Sequence, residues 1–395
     1  MKKVFSLIVA VCLVVLAFTG CTAGAGNDDV KVGFIYLHDE NSTYDLNFIN
    51  AAKAACEELG VEFVEKKNIA ETNDCYEAAV DLVDRGCDIV FADSFGHEPY
   101  MAQAAAEFPE VQFCHATGTT AHTAGLKNLH NAFASIYEGR YLAGVAAGLK
   151  LNEMIAKGEF KANEAKIGYV GAYTYAEVIS GYTSFFLGAR SVCPTATMEV
   201  QFTGEWYEET LEKEAATTLI SRDCKLISQH ADSMGAPTAC EKAGVPNVSY
   251  NGSTVAACPN TFIVSSRIDW TPYFKYIITC VKEGKEIDTD WCGTIQTGSV
   301  VLTDVNEKAA AAGTKEKLEE VKKGLLDGTI KVFDTNAFTY KGEKLTTYLA
   351  DVDTDKNYTP DTEVIYDGCF NESVKRSAPY FDLRIDGITT LNEKF

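Results

Sequence analysis

Polar and aromatic side chains follow several predicted strands of this 395-residue chain, at the points where the strands end. Residues 167–170 form an apolar run too short for a helix, and the loop after it carries two tyrosines and then Glu177. Acidic and amide residues at 39–42 and the group Asp-Ser-Phe-Gly at 93–96 also follow apolar runs. Ligands of open α/β sheets bind outside the carboxyl ends of the strands, so these loops are candidate binding loops. Solvated βα loops would show the same composition.

Strands alternate with helices in two successive stretches of the sequence. The predicted strands lie at 30–37, 61–64, 87–92, 111–116, 167–170, 198–202, 225–228 and 247–250. Such alternation is typical of doubly wound parallel sheets. Segments 261–267 and 294–302 are predicted as strands that cross back between the two halves. We therefore predict an α/β chain of two doubly wound parallel-sheet lobes joined by crossover hinge strands, with a ligand in the cleft between them.

The first 21 residues are typical of an export signal. Lys2 and Lys3 precede an apolar run at 4–18, and Gly20 stands before Cys21, in an arrangement that resembles a bacterial lipobox. We expect cleavage before Cys21, lipidation of its sulfur, and a location on the extracytoplasmic face of the cell membrane. A plain secretory signal or an uncleaved anchor are the alternatives. The predicted division is a lipoprotein signal peptide at 1–20, a tether at 21–29, an N-terminal lobe of 30–116 and 265–297, and a C-terminal lobe of 117–264 and 298–395 that includes a C-terminal extension.

The charge of the chain argues against polyanionic partners. Lys and Arg number 35 against 56 Asp and Glu, a formal net charge of −21, and loss of the two leader lysines makes it more negative. Such a surface repels nucleic acid and anionic lipid. Arginine, whose guanidinium group commonly binds phosphate and carboxylate in a bidentate way, is scarce in this chain. This scarcity favours an uncharged or cationic ligand.

Thirteen cysteines are unusual in an exported chain. None forms a CxxC pair, which leaves a zinc ribbon or a thioredoxin-type motif unsupported. Several, such as Cys56, Cys87 and Cys114, fall at apparent core positions, where a free thiol packs as a small hydrophobic group. We predict that most are buried thiols.

Metal sites and enzyme motifs find little support in the sequence. The segment 351–357, Asp-Val-Asp-Thr-Asp-Lys-Asn, has the alternating carboxylates of a calcium loop, but Lys356 stands where such a loop requires glycine. A solvated acidic loop is favoured there. The histidines show no metal-ligand spacing, although His115 and His230 follow predicted strands. No GxSxG turn or phosphate loop occurs, so we predict no enzyme, no cofactor and no metal.

Several motifs together resemble the basic membrane protein family. They are VGFIY at 32–36, FCHATG at 113–118, YEGRYLAGVAAG at 137–148, IGYVGAYTYAEVI at 167–179, QHADS at 229–233, DWTPYF at 269–274 and FDLRIDGIT at 381–389. The resemblance implies a type I periplasmic-binding-protein fold and a lipoprotein that supplies an ABC importer. Relatives of this kind bind purine nucleosides or purine bases.

The resemblance also implies a set of site residues. The family's first loop presents an acidic residue and then an aromatic one, and Asn41 and Tyr44 occupy these positions. The full implied set is Asn41, Tyr44, Ser94, Phe95, Glu177, Trp206, Asp232 and Asn251. In such a site aromatic rings stack on the base, at roughly 1–3 kcal/mol per face, while carboxylates accept from N–H and hydroxyl groups. Trp270 and Trp291 are predicted to lie in the core or the hinge.

The implied function is therefore capture of a purine nucleoside or base by an extracytoplasmic lipoprotein. Its expected partners are an ABC permease and ATPase, with the membrane reached only through the N-terminal lipid, and we expect a monomer. A sensory lipoprotein for another small polar molecule is the first alternative. A nucleoside-processing enzyme is the second.

Overall fold

The fold was examined in a computed structural model, which describes residues 29–352, 357 and 359–393. Its first part alternates strands with helices. The elements are β1 (Lys31–Ile35), α1 (Thr43–Leu59), β2 (Glu62–Lys66), α2 (Asn73–Asp84), β3 (Ile89–Ala92), α3 (Glu98–Glu107), β4 (Gln112–Ala116), α4 (Ala121–Ala124) and β5 (Leu129–Ala134).

Helix α1 shows how the local sequence determines where a helix begins and ends. The Ser42 side chain accepts a hydrogen bond from the Asp45 N–H at its start, and Gly60 adopts φ 63° at its end, where glycine carries no steric penalty.

The second part repeats this alternation. Its elements are α5 (Ile136–Ala156), β6 (Lys166–Gly171), α6 (Ala176–Val192), β7 (Thr197–Phe202), α7 (Glu209–Ser221), β8 (Leu226–His230), α8 (Gly235–Ala243), β9 (Asn247–Tyr250) and β10 (Phe262–Ile268). Every residue of β8 and β9 is buried, as expected for central parallel strands with helices on both faces.

The remaining elements return to both halves and then form an extension. They are α9 (Thr271–Lys282), β11 (Asp290–Gly293), β12 (Val300–Leu302), α10 (Thr314–Leu326), β13 (Leu349–Ala350), β14 (Thr362–Glu363), β15 (Ile365–Tyr366), β16 (Cys369–Phe370) and β17 (Ile388–Thr390). The short pairs β13–β14 and β15–β16 are antiparallel.

Two large sheets, one in each lobe, carry the fold. In the described part of the chain the first sheet has the order β11-β5-β4-β3-β1-β2, and the second has the order β12-β10-β9-β8-β6-β7-β17. All pairs within them are parallel except β10–β12. The chain passes between the sheets after β5, β10 and β11. This is the two-lobed α/β fold with crossover connections that the sequence predicted.

The strand pairing corrects the predicted boundaries at two places. Strand β5 is hydrogen-bonded between β4 and β11 in the first sheet, although residues 117–264 were assigned to the second lobe. Strand β10 lies in the second sheet, although residues from 265 onward were assigned to the first lobe. The division into two lobes as separate domains stays a prediction.

Buried side chains match two further expectations. Trp270 is 1% exposed and stacks on Phe48 at 4.5 Å, so it lies in the core. Of the eleven cysteines in the described residues, all free, ten are buried and Cys292 is intermediate, which confirms the predicted buried thiols.

Several predictions concern residues outside the described part of the chain. The signal peptide, Cys21 and most of the tether fall there, and so do Asp353 and Asp355 of the acidic loop. Among the helices that the structure describes, none is both long enough and apolar enough to cross a membrane.

Candidate functional site

A cavity lies between the lobes, at the carboxyl ends of both parallel sheets. Each lining residue ends a strand, follows one, or opens the next helix, as expected at the switch point of an α/β sheet. The lining residues are Leu37, His38, Tyr44, Asp45, Ser94, Phe95 and Thr117 from the first lobe, with Glu177, Trp206, His230, Asp232 and Tyr250 from the second.

On the first lobe, Tyr44 and Ser94 are held by hydrogen bonds. The Tyr44 hydroxyl donates to the Asp93 carbonyl oxygen at 2.8 Å, and its ring meets Phe48 edge-on at 4.8 Å. The Ser94 hydroxyl donates to the Glu71 carboxylate at 2.6 Å, which also accepts from the Gly96 N–H at 2.7 Å. The loop after β3 is therefore fixed by an acid that sequence reasoning did not single out.

Asp45 is the buried acid of the first lobe that lines the cavity. Its carboxylate accepts from the His38 N–H at 2.8 Å, and the His38 ring nitrogen Nδ1 lies 3.4 Å from the same group. Burial acts to raise the pKa of Asp45, but hydrogen bonds from His38 and Ser42 outweigh it, and the net pKa is lowered. Asp45 therefore offers an ionised acceptor in the first turn of α1.

On the second lobe, Glu177, His230 and Tyr250 form a connected group. His230 Nε2 lies 3.4 Å from Glu177 Oε1, and its ring centroid lies 4.2 Å from that of Tyr250. Burial lowers the pKa of His230, which favours the neutral ring. Glycine is needed at Gly181 on α6, because a Cβ there would lie 2.5 Å from the His230 ring.

Beneath this group lies Arg140, a buried cation. Its guanidinium donates to the carbonyl oxygen of Ser249 at 3.1 Å and to that of Gln229 at 3.5 Å, directly before Tyr250 and His230 in sequence. The same group lies 5.2 Å from the Tyr250 ring centroid. Arg140 thus fixes the ends of β8 and β9 where they meet the cavity.

Asp232 joins the two lobes. Its carbonyl oxygen accepts from the Thr43 N–H at 3.1 Å and from the Thr43 hydroxyl at 3.2 Å. Its carboxyl oxygen Oδ1 accepts from the Asn251 amide at 3.0 Å, and Asn47 of α1 donates to the Asn251 carbonyl oxygen at 3.0 Å. Burial, followed by the charges of Glu212 and Asp45, raises the pKa of Asp232 well above its usual value.

Aromatic rings from both lobes cover one side of the cavity. Phe95 of the first lobe lies 5.1 Å from Tyr175 of the second, measured between ring centroids. Tyr173 stacks on Tyr175 at 5.0 Å and meets Trp206 edge-on at the same distance. Tyr175 itself does not line the central cavity.

The structure brings most of the predicted site residues to this cavity and separates two from it. Asn41 is exposed and its amide donates to Asp39 at 2.8 Å, so it does not line the cavity. Asn251 is buried but acts on Asp232 and does not reach the lining. Asp45 and Tyr250 were missed. An acid in the first turn of a predicted helix was the available signal for Asp45.

Among the described residues, no three His, Cys, Asp or Glu side chains are placed together so as to hold a metal ion.

Two α/β lobes with a closed polar and aromatic cavity between them define a type I periplasmic-binding-protein architecture. Solved structures agree on this fold. An ABC transporter solute-binding protein from Aeropyrum pernix has a TM-score of 0.65 at 18% identity, over 77% of this chain and 93% of that one. A second, from Conexibacter woesei, has a TM-score of 0.60 at 19% identity, over 76% and 98%.

Sequence comparison then gives the family. The profile described as "Bmp: ABC transporter substrate-binding protein PnrA-like" matches residues 37–334, and the chain belongs to this family. A purine-binding protein of Brucella abortus is 29% identical over 82% of this chain and 90% of its own length. A Haloferax volcanii protein, named as a candidate glucose-binding component of an ABC transporter, is 31% identical over 64% of this chain and 60% of its own length.

Family membership sets the general role. Its members are extracytoplasmic solute-binding proteins of ABC transporters, and the family is not a class of enzymes. Such a protein takes a small-molecule ligand and works with a permease and an ATPase. The resemblance predicted from the sequence motifs is confirmed.

Proposed function

We propose that this protein captures a purine nucleoside or a purine base in the cavity between its lobes and delivers it to an ABC importer. The observation that carries the proposal is the meeting of aromatic rings and carboxylates from both lobes around one space. Tyr44 and Trp206 supply rings, while Asp45, Glu177 and Asp232 supply acceptors. The purine-binding relative from Brucella abortus supports the same ligand class.

The chemistry of a purine matches this lining. Stacking of one aromatic face contributes roughly 1–3 kcal/mol and tolerates different bases. Carboxylates accept from ring N–H, amino and ribose hydroxyl groups. The Tyr250 hydroxyl is buried and has no hydrogen-bond partner among the described residues, so a ligand atom is the natural partner for it.

A sugar such as glucose is the second candidate, because the Haloferax volcanii relative carries that description. Sugar hydroxyls would use the same carboxylates, and the apolar face of a sugar packs on aromatic rings. Titration with glucose beside the purines distinguishes the two ligands.

Calorimetry with adenine, guanine, their nucleosides, inosine and glucose tests the proposal. Wild type should bind at least one purine. Asp232→Ala and Glu177→Ala should each weaken that binding about tenfold or more, because each leaves a ligand donor unpaired in a cleft with little water. Glu241→Ala is the matched control, since that second-lobe acid lies outside the cavity and caps the 260–261 turn. Glucose binding without purine binding, or full affinity in both alanine variants, would refute the assignment.

We also propose that the mature chain is a monomer held at the membrane by a lipid on Cys21. The support is the charged and apolar leader with Gly20 before the cysteine. In the native host, wild type should partition with membranes, while Cys21→Ser should be released in soluble form or remain unprocessed. Mature protein that begins at another residue would contradict lipidation at Cys21.

A sensory role would use the same closing lobes. Genes for a permease and an ATPase beside the gene for this chain would favour import, and a neighbouring membrane signalling protein would favour sensing.

A further inference from the structure

Two exposed aromatic side chains from opposite lobes contact each other beside the cavity. Phe95 is 38% exposed and Tyr175 is 39% exposed, and their ring centroids lie 5.1 Å apart with 32° between the ring planes. Among the described residues, one other large aromatic side chain is exposed to this degree, Tyr366 at 39%. Single exposed apolar residues are common on protein surfaces, but a pair that meets across a cleft indicates a contact that forms when the lobes close.

On the first lobe, Phe95 is held by its own loop although its ring is exposed. The Glu71 carboxylate accepts from the Ser94 hydroxyl at 2.6 Å and from the Gly96 N–H at 2.7 Å, so the residues on both sides of Phe95 are tied to one group. A Cβ at Gly96 would lie 2.5 Å from Glu71 Cδ, so glycine allows this close approach. The Phe95 backbone is therefore fixed, and its ring lines the cavity.

On the second lobe, Tyr175 is held by two further rings. Tyr173 stacks on it, with centroids 5.0 Å apart and 12° between the planes. Trp206, which lines the cavity, lies 6.0 Å from it and meets Tyr173 edge-on. The three rings form one group, and Tyr175 extends this group to Phe95 of the first lobe.

The helix that Tyr175 opens does not explain why a tyrosine stands there. Tyr175 is the N-cap residue of α6, with φ −76° and ψ 156°, and its side chain makes no capping hydrogen bond. Serine, threonine, aspartate and asparagine are preferred at an N-cap, because their side chains accept from the first free N–H groups of the helix. A residue that gives no cap and exposes an aromatic ring departs from this local rule, and such departures are expected at functional sites.

We propose that Tyr175 is a positioning residue of the ligand site, which fixes the Phe95 ring at the cavity wall by contacting it when the lobes close. This rests on the proposed function and deepens it, because stacking of a planar base depends on where the aromatic rings of the wall lie. Tyr175 acts through Phe95, since Tyr175 itself does not line the cavity. The contact exists only in the closed arrangement, so it slows release of the bound ligand.

Tyr175→Ser separates this role from a role in the helix. Serine removes the ring and supplies a side chain that can cap α6, so the melting temperature of the ligand-free protein should not fall. Purine affinity should nevertheless become about three- to tenfold weaker, the range expected for the loss of one aromatic pair, through faster dissociation in stopped-flow fluorescence.

Two further variants serve as controls. Tyr175→Phe keeps the ring and should bind purine as wild type does. Tyr366→Ser changes an equally exposed tyrosine, on β15, that does not line the cavity, and it should also bind as wild type.

A double-mutant cycle with Phe95→Ala tests whether Tyr175 acts through Phe95. In the Phe95→Ala background, Tyr175→Ser should weaken purine binding by less than about twofold, because the ring that Tyr175 positions is already gone.

The outcomes separate this inference from the proposed function. If no purine binds wild type, the proposed function fails and the inference fails with it. If purines bind but Tyr175→Ser binds them as tightly as wild type, or loses the same factor with and without the Phe95 ring, the inference alone is wrong. Equal losses in Tyr175→Phe and Tyr175→Ser would assign the effect to the hydroxyl and also overturn it.

Discussion

Asp45, which lines the cavity, and Asp93 are both buried carboxyl groups, and the charge of Asp45 acts on Asp93. Burial, and then the charge of Asp45, raises the pKa of Asp93 well above its usual value, which favours the protonated carboxyl. Asp93 also accepts from the Leu37 N–H at 3.0 Å, next to the cavity lining. A neutral Asp93 keeps Asp45 ionised without a second charge beside it.

The groups that face this pair come from several elements. They are Tyr36 directly after β1, His38 and Tyr44 before and at the start of α1, Cys75 on α2, His97 after β3, and Asp232 on the second lobe. Burial lowers the pKa of His97 to about 4, so this ring stays neutral near pH 7. Burial raises the pKa of Cys75.

Asp93→Asn should make ligand binding and stability less sensitive to rising pH. Asparagine keeps the acceptor for Leu37, but it cannot ionise. Because the folded-state pKa of Asp93 is raised, its contribution to stability is present at low pH and is lost as the pH rises through that pKa. The wild-type melting temperature and ligand affinity should therefore fall relative to the variant as the pH rises from about 4, the usual aspartate pKa, towards the raised pKa of Asp93. Parallel pH profiles for the two proteins would contradict the raised pKa of Asp93.

Single residues also show how far the sequence could define the site. Tyr44, Phe95, Glu177 and Asp232 reach the cavity because each ends a strand, follows one, or opens a helix, and those positions were readable from the alternation of elements. The position of the first-lobe acid was not readable from the sequence, because the expected pattern placed that acid at Asn41. Ser42 caps α1, so the buried acid that reaches the cavity is three residues further on, in the first helical turn.

At the scale of elements, α1 carries the direct polar contacts between the lobes that lie beside the cavity. Thr43 and Asn47 lie on one face of this helix, four residues apart, and both donate to carbonyl oxygens of the second lobe. Gly252 is close enough for a Cβ to lie 3.2 Å from the Thr43 side chain. The start of α1 is therefore fitted to the second lobe in the closed arrangement.

Asn47→Ala should weaken ligand binding although Asn47 does not line the cavity. Loss of one buried hydrogen bond costs about 0.5–1.5 kcal/mol, and this one exists only when the lobes are together. We expect a three- to tenfold loss of affinity, through faster dissociation, measured by stopped-flow fluorescence. Asn50→Ala, on the exposed side of the same helix, should behave as wild type. Equal dissociation rates for the two variants would show that this contact does not stabilise closure.

Strand β5 shows why one element escaped prediction. Its sequence, Leu-His-Asn-Ala-Phe-Ala, lacks β-branched residues, and the stretch before it carries little periodicity. Its partner β11 lies more than 150 residues further along the chain. Pairing to a distant strand, and not local propensity, makes this segment a strand. The strongly apolar β3, Ile-Val-Phe-Ala, was by contrast visible from the sequence alone.

At the scale of the whole molecule, three chain crossings join the two lobes and the cavity lies between them. Any large movement is therefore a movement of one lobe relative to the other. Strands of each sheet stay hydrogen-bonded within their own lobe, while polar contacts such as Asn47–Asn251 cross the gap. The segment around Ser377 adds a further crossing contact, to Asp290. Rotation of the lobes would break these contacts and leave both sheets intact.

The last prediction concerns this rotation. A ligand that touches both lobes stabilises only the closed arrangement, since its second set of contacts is lost when the lobes part. A compact chain of this size has a radius of gyration of roughly 21 Å. In small-angle scattering the ligand-free mature protein should be larger than this, and a saturating ligand should bring it close to this value. Asn47→Ala should require more ligand for the same change, whereas Asn50→Ala should not. An unchanged radius with saturating ligand would show that the lobes form one rigid body, and the protein would then bind without closing.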